Sequence, residues 1–395
     1  MNTPHATSAT GAESDARTTL ASLDTPCLVV DAVRMERNIA RLRERLDKLG
    51  VSFRPHLKTA KSVDVSRRVM MALHGPATVS TLLEAEIFAQ AGITDLTYAV
   101  GIAPDKIARI AALRRAGVDI AVVVDSCEQA VAVAAGGDPA APIPVLIEID
   151  CDGHRSGVAP DDRALLIEIA TALGSGGGAT LRGVLTHAGE SYSARAPSEL
   201  EAAAEQERAA VVQAAEILRG AGFPVSVVSV GSTPTAHFAK NLDGVTEVRA
   251  GVFVFFDLVQ AGIGACTVDD IALSVLTTVI GHQKAKGWTI VDAGWMAMSR
   301  DRGTASQAVD QGYGVVCDIH GRPLEDLIVI GANQEHGIIA PRGGTSGAGL
   351  DFPIGTRLRI LPNHACATGA QHDRYHVVEG TGDAVVATWP RFSGW

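Results

Sequence analysis

The stretch Val51-Ser-Phe-Arg-Pro-His-Leu-Lys58-Thr-Ala-Lys-Ser62 decides how the rest of the chain is read. Val51–Phe53 has the short apolar look of a strand, and residues 63–73 carry apolar side chains at helical spacing, so Lys58 falls where a strand hands over to a helix. In α/β proteins the loops at that end of the strands converge on a rigid frame, and sites are built there. A lysine in such a place is either a solvated surface charge or, once deprotonated, a nucleophile toward a carbonyl. The surroundings decide between the two.

Working outward, apolar strand patterns recur at Val51–Phe53, Ala77–Ser80, Leu96–Val100, Asp119–Val124, Pro144–Ile149, Gly183–Thr186, Val225–Val230 and Val245–Phe256. Between them lie segments rich in Ala, Leu, Glu and Arg, such as Leu82–Ala91, Pro104–Ala116, Asp162–Leu173 and Leu200–Ala221, that read as helices. Eight strands alternating with helices is the count of a closed (β/α)8 barrel, although a doubly wound open sheet would alternate in the same way. Past about residue 265 the segments become short and β-branched and are joined by Gly, Pro, Asn and Asp, which marks an all-β domain. The expected organisation is a loose tail over 1–20, a barrel over 21–264 and a β domain over 265–395. Gly343–Gly349 reads as a flexible loop with no chemistry of its own.

Composition narrows the function. The 395 residues are 47% hydrophobic and 20% charged, which gives ample core for a globular protein of about two domains. A net charge of −10 offers no basic surplus to neutralise phosphates, so nucleic acid and acidic membrane surfaces are excluded as expected partners. No apolar run approaches the roughly 20 residues that span a bilayer, and the amino-terminal residues lack the apolar segment of a secretory signal. Cys27, Cys127, Cys151, Cys266, Cys317 and Cys366 follow no paired spacing, so reduced thiols and a cytoplasmic setting are expected.

Several chemically able residues fall where barrel strands should end. Arg155 follows the fifth strand in Asp152-Gly-His-Arg-Ser-Gly157, and His187 follows the sixth in Leu185-Thr-His-Ala-Gly189. Gly231-Ser232-Thr233 closes the seventh, and its backbone N–H groups and hydroxyls suit a phosphate. A lysine, a stacking histidine, an arginine and a phosphate cradle in one mouth describe pyridoxal phosphate held as a Schiff base. A second cluster, Pro362-Asn-His-Ala-Cys366, places His364 and Cys366 two residues apart, on one side of an extended segment, where both reach one ion. Imidazole with thiolate favours zinc and leaves positions open for water or substrate. His372 and His376 are nearby competitors, and a coincidental pair without a metal is the plain alternative.

Together, Arg54-Pro-His-Leu-Lys-Thr59, Thr78-Val-Ser-Thr-Leu-Leu-Glu-Ala-Glu86, Asp152-Gly-His-Arg-Ser-Gly157, Val230-Gly-Ser-Thr-Pro-Thr235, Phe253-Val-Phe-Phe-Asp257, Gln334-Glu-His-Gly337 and Pro362-Asn-His-Ala-Cys-Ala-Thr368 resemble the D-serine dehydratase/D-threonine aldolase group. The resemblance runs from about Thr25 to Trp395. It implies an alanine-racemase-like fold and a dehydratase of D-3-hydroxy amino acids that uses pyridoxal 5'-phosphate and a divalent cation, Zn2+ or alternatively Mn2+ or another. By the same resemblance Lys58 carries the cofactor, and His364 and Cys366 hold the metal. Gly231, Ser232 and Thr233 hold the phosphate with Tyr192 as a helper, His187 stacks on the ring, Arg155 lies near the ring hydroxyl and Arg249 faces the ring nitrogen. The aldolases of the group usually carry an acidic second metal ligand, so Cys366 favours the dehydratase branch. The expected substrate is a small D-amino acid, with D-threo-3-hydroxyaspartate first and D-serine and D-threonine behind it. The expected assembly is a homodimer.

Three rival readings share parts of this pattern. An aldolase uses the same cofactor and metal and releases glycine. A racemase needs a second acid–base group, usually a tyrosine from a partner's β domain, and does not need the His364/Cys366 pair. A non-catalytic pyridoxal phosphate carrier lacks the β domain that residues 265–395 supply. Asp257, Asp292 and Asp301 read as groups that organise loops, and His336 as either a hydrogen-bonded core residue or a substrate contact.

Overall fold

The computed structural model describes residues 18–343 and 352–395. The expected tail over 1–17 and most of the loop at 343–349 lie outside the described residues. Thr18–Leu20, placed in that tail by sequence, are ordered. Thr19 bridges Ala384, and Leu20 is buried against Val29, Leu276 and Val378.

Strand β1 (Cys27–Asp31) leads into helix α1 (Ala32–Lys48), whose first N–H groups are capped by the Asp31 carboxylate. Met35, Ile39, Leu42 and Leu46 recur at helical spacing along α1 and are all buried, each contributing roughly 1.5–3 kcal/mol. Eight parallel strands follow, β2 (Ser52–Phe53), β3 (Ala77–Val79), β4 (Asp95–Gly101), β5 (Asp119–Val124), β6 (Ile143–Ile149), β7 (Ala179–Thr186), β8 (Val227–Val230) and β9 (Glu247–Val248). They are hydrogen-bonded in the order β2-β9-β8-β7-β6-β5-β4-β3. A parallel bridge between His56 and Thr78, with Leu57 N–H donating to Thr78 O at 2.9 Å and Thr78 N–H to Pro55 O at 2.8 Å, closes β2 onto β3. The expected (β/α)8 barrel is therefore present, and the loop bearing Lys58 starts at its closing seam. Below the seam Arg54 pairs at 2.7 Å with both Glu247 and Asp95, tying β2, β9 and β4 together. Arg54 is buried, so deleting both partners would leave an uncompensated charge at a cost of roughly 3–5 kcal/mol.

The second sheet is built from β10 (Leu273–Gln283), β11 (Trp288–Val291), β12 (Val315–Cys317), β13 (Pro323–Ala332), β14 (Gly337–Pro341), β15 (Arg357–Leu361), β16 (Arg374–Val378) and β17 (Ala387–Pro390). Pairing of β10 with β11 closes the first six of these into an antiparallel barrel. Strand β1, inside the range expected for the (β/α)8 barrel, pairs instead with β10 and with β16. The β1–α1 unit thus straddles the two domains, its helix on the barrel and its strand in the β sheet. Tyr375 on β16 donates to Ala60 O at 2.6 Å and packs on Phe255, which docks the β domain beside the Lys58 loop.

Two further readings change. The run Val245–Phe256 is a strand only over β9. Beyond it the backbone turns at Gly251 into a 3-10 segment, Val252–Val254; Phe253 packs on Phe53 and Phe256 on His237 within the barrel, and Phe255 meets Tyr375 of the β domain. Strand β14 was not anticipated. No described helix is long and apolar enough to cross a membrane, and all six cysteines are free.

Candidate active site

One cavity of about 530 Å³ opens where the carboxyl ends of the barrel strands meet the β domain. Lys58, Arg155, His187, Tyr192, Gly231, Ser232, Thr233, Arg249, His364 and Cys366 all line it. The competitors His372 and His376 do not. His372 bonds to Ala297 O at 2.9 Å, and His376 sits in β16.

On the barrel side, each group is held by its strand end. His187 follows β7, and its Nδ1–H donates to Gly231 O at 2.7 Å, which leaves Nε2 as the free nitrogen. Burial pushes His187 down to about 3, against the help of that hydrogen bond, so the ring is neutral. Gly231 has φ +151°, and a Cβ there would run into the Arg249 carbonyl oxygen, so only glycine lets the chain turn this closely. Ser232 caps the short helix Thr233–Phe238, and its Oγ lies 3.0 Å from Ser191 Oγ. The Thr233 amide lies at the Tyr192 hydroxyl, and the Tyr192 ring is 6.3 Å from that of His187.

Glu207, which the sequence reading did not single out, organises this wall. It is 2% exposed and accepts from Gly231 N–H at 2.9 Å, Ala188 N–H at 3.0 Å and Thr235 Oγ1 at 2.7 Å. It therefore ties the Gly231 turn to the residue that follows His187. A signal was present, because Leu200, Ala204, Glu207, Val211, Ala214 and Leu218 form the buried stripe of helix Pro197–Gly220, with an acid in mid-stripe. Arg249 is also buried. Its Nη1 donates to Ser229 Oγ and its Nη2 to Thr186 O, both at 2.5 Å, and burial lowers its pKa. Arg155 is half exposed and lies 3.7 Å from Glu148, whose carboxyl is raised by burial.

On the β-domain side, His364 and Cys366 do not share one extended segment as expected. His364 is the extended residue preceding the short helix Ala365–Gly369, and Cys366 lies in that helix's first turn. His364 Nδ1 bonds Asp301 Oδ2 at 2.7 Å, which orients Nε2 for a ligand. Burial opposes charge on His364, but Asp301 and Cys366 outweigh it and lift the group to about 11. Burial likewise opposes the Cys366 thiolate, and His364, Thr59 and Lys58 bring its pKa below the ordinary thiol value. Thr59 Oγ1 is 3.2 Å from Cys366 Sγ, so the residue after Lys58 touches the second donor directly. Asp257, raised to about 6 by burial, accepts from Gln260 N–H at 3.0 Å and Ala365 N–H at 2.9 Å. Asp257 holds the His364–Cys366 segment in place; Asp301 orients a ring. Asp292 binds Thr277 and Thr278 away from the cavity, and His336 is exposed outside it. Arg300 stacks on Trp295 and Arg302 pairs with Asp310 at 2.7 Å, so neither reaches the cavity.

These residues fit both groups that the sequence implies. A close glycine turn clamped by Glu207, a neutral histidine and an exposed lysine suit a phosphorylated aromatic aldehyde. No cluster of three or more His, Cys, Asp or Glu able to hold a metal occurs among the described residues. A thiolate beside an imidazole already oriented by a carboxylate is a zinc-type donor set.

Comparison with known proteins agrees with this anatomy. The alanine racemase amino-terminal domain matches residues 30–259, and a serine dehydratase domain matches 272–378. The chain is 57% identical over 380 residues to the D-threo-3-hydroxyaspartate dehydratase of Delftia sp. (strain HT23), covering 95% of this chain and 99% of that protein. It is 30% identical over 384 residues to the D-serine dehydratase of Dictyostelium discoideum, covering 90% and 94%. A solved D-threo-3-hydroxyaspartate dehydratase, a cysteine-to-alanine variant in the metal-free form, superposes with a TM-score of 0.93 at 56% identity, covering 96% of this chain and all of that one. The chain belongs to the alanine-racemase-like, fold type III pyridoxal phosphate enzymes, in the branch that carries a D-serine dehydratase domain.

Proposed function

We propose that the chain is an ammonia-lyase that dehydrates D-3-hydroxy amino acids, with D-threo-3-hydroxyaspartate the preferred substrate and D-serine and D-threonine slower ones. Pyridoxal 5'-phosphate is carried by Lys58 and a zinc ion by His364 and Cys366. The observation that carries the reading is the contact between Thr59 and Cys366, which brings the lysine loop of the barrel against the donor pair of the β domain in one cavity. When bound, the cofactor supplies an electron sink and the cation a Lewis acid for the departing hydroxyl.

The chain's own residues do the rest. Lys58 Nζ takes the proton from the substrate Cα. His187, kept neutral by burial, offers a flat uncharged face, with its Nδ1–H engaged by Gly231 O. Gly231, Ser232 and Thr233 receive the phosphate, Tyr192 supports it, Arg155 is assigned to the ring hydroxyl and Arg249 to the ring nitrogen. Asp301 keeps the His364 ring aimed into the cavity. The β domain closes the mouth against water. Loss of water and hydrolysis of the resulting imine turn D-threo-3-hydroxyaspartate into oxaloacetate and ammonia.

The test is ammonia release from purified protein given D-threo-3-hydroxyaspartate, D-serine, D-threonine and the L enantiomer of the first. Release from the D compounds, fastest from hydroxyaspartate, is expected. Release from the L enantiomer alone contradicts the reading. A homodimer in a cytoplasmic setting, in keeping with six free thiols, completes the proposal; a stable, active monomer in light scattering would refute the dimer.

A further inference from the structure

Thr59 directly follows the lysine, and the reaction above gives its side chain no task. It is 1% exposed and lines the cavity. Its Oγ1 lies 3.2 Å from Cys366 Sγ, and that hydroxyl makes no other hydrogen bond among the described residues. A Cβ at Gly251 would stand 3.2 Å from Thr59 Oγ1 and 3.1 Å from His56 O, so a bare glycine is what leaves room for the hydroxyl. The loop is pinned from the other side as well, where Ala60 O accepts from the Tyr375 hydroxyl at 2.6 Å. Lys58 and Cys366, which belong to different domains, are thus one residue and one hydrogen bond apart. A hydroxyl can donate or accept, whereas a thiolate only accepts. With Cys366 ionised, as a metal donor must be, the proton in this contact belongs to Thr59. His364 is not free to supply one, because its Nδ1 is engaged by Asp301 and its Nε2 is assigned to the cation.

We propose that Thr59 is a positioning residue for the metal: its hydroxyl donates to the Cys366 thiolate and sets how strongly that sulfur gives charge to the cation. The inference rests on the function proposed above and deepens it. A hydrogen bond to a ligating sulfur draws charge from it, and partners of this kind tune a bound metal. A cation that receives less charge from its thiolate is the stronger Lewis acid for the departing hydroxyl. The same bond fixes the sulfur relative to the lysine loop, so removal of the Cα proton and loss of the hydroxyl are served from one short segment. A hydroxyl that only filled a buried corner would do neither.

The test uses Thr59→Val, which replaces the hydroxyl by a methyl group of nearly the same size, and Thr59→Ser, which keeps it. Each is compared with the unmodified holoenzyme in two forms. The Zn2+ form, at saturating metal, is assayed for turnover of D-threo-3-hydroxyaspartate, and the Co2+ form is read as its difference spectrum against metal-free protein. In Thr59→Val the thiolate-to-cobalt charge-transfer band should move to longer wavelength, since a sulfur without its hydrogen bond gives up charge more readily, and kcat should fall roughly tenfold. Thr59→Ser should restore both, and the cofactor absorbance of the metal-free protein should be the same in all three. A band that stays in place in Thr59→Val, a kcat that does not fall when the band moves, a serine variant that behaves like the valine one, or a cofactor absorbance that shifts with the substitution overturns the assignment of Thr59. Absence of any thiolate band in the cobalt-loaded unmodified enzyme overturns the metal site proposed at His364 and Cys366 and is read separately.

Discussion

Replacing Lys58 by alanine will reduce ammonia release from D-threo-3-hydroxyaspartate by roughly 10³-fold or more, because in the proposed reaction one residue both anchors the cofactor and moves the Cα proton. The loss should come without unfolding. Lys58 projects into the cavity from an exposed position, so truncation leaves no buried partner uncompensated, and thermal stability should change by less than about 0.5 kcal/mol. Lys58→Arg keeps the charge but is not a nucleophile at neutral pH, and it should be as inactive as the alanine variant. Borohydride reduction followed by peptide mapping supplies an independent readout. The cofactor mass should be found on the peptide containing Lys58 in the unmodified protein and be absent from the variant. A mass on any other lysine, or turnover retained by Lys58→Ala, would remove Lys58 from the mechanism.

The second large effect is on the metal. His364→Ala and Cys366→Ala each remove half of the proposed two-donor set, so each should bring bound zinc to near zero and turnover down with it. Asp301→Asn keeps both donors and disturbs only the hydrogen bond that aims the imidazole. Its metal affinity should therefore fall by a smaller factor, roughly 10–100-fold, and added zinc should restore most of the rate. That graded pattern separates a metal site from a structural contact, since a purely structural His364–Asp301 pair would give no rescue. Chelation of the unmodified enzyme should match the Cys366→Ala variant. Chelator-resistant turnover would make His364 and Cys366 structural.

Much of this was legible in the chain because strand ends announce themselves. Lys58, Arg155, His187 and Gly231 each follow an apolar run by one to six residues, and parallel alternation alone predicts that such positions share one mouth. The Val245–Phe256 run misled because three buried phenylalanines, Phe253, Phe255 and Phe256, look in a linear pattern like a buried strand. Strand β1 crossing into the second sheet had no local signal, since its partners β10 and β16 lie far along the chain. The same distance hid Asp301, which is 63 residues from His364. Glu207 was readable as an acid on an apolar helix face.

The most direct measurement is mass spectrometry of the products formed from D-threo-3-hydroxyaspartate by the unmodified protein, with and without a chelator. The account predicts oxaloacetate and ammonia in equal amounts, abolished by chelation and restored by zinc. Glycine with glyoxylate would place the chain among the aldolases, and oxaloacetate formed undiminished in the presence of the chelator would contradict metal-assisted dehydration.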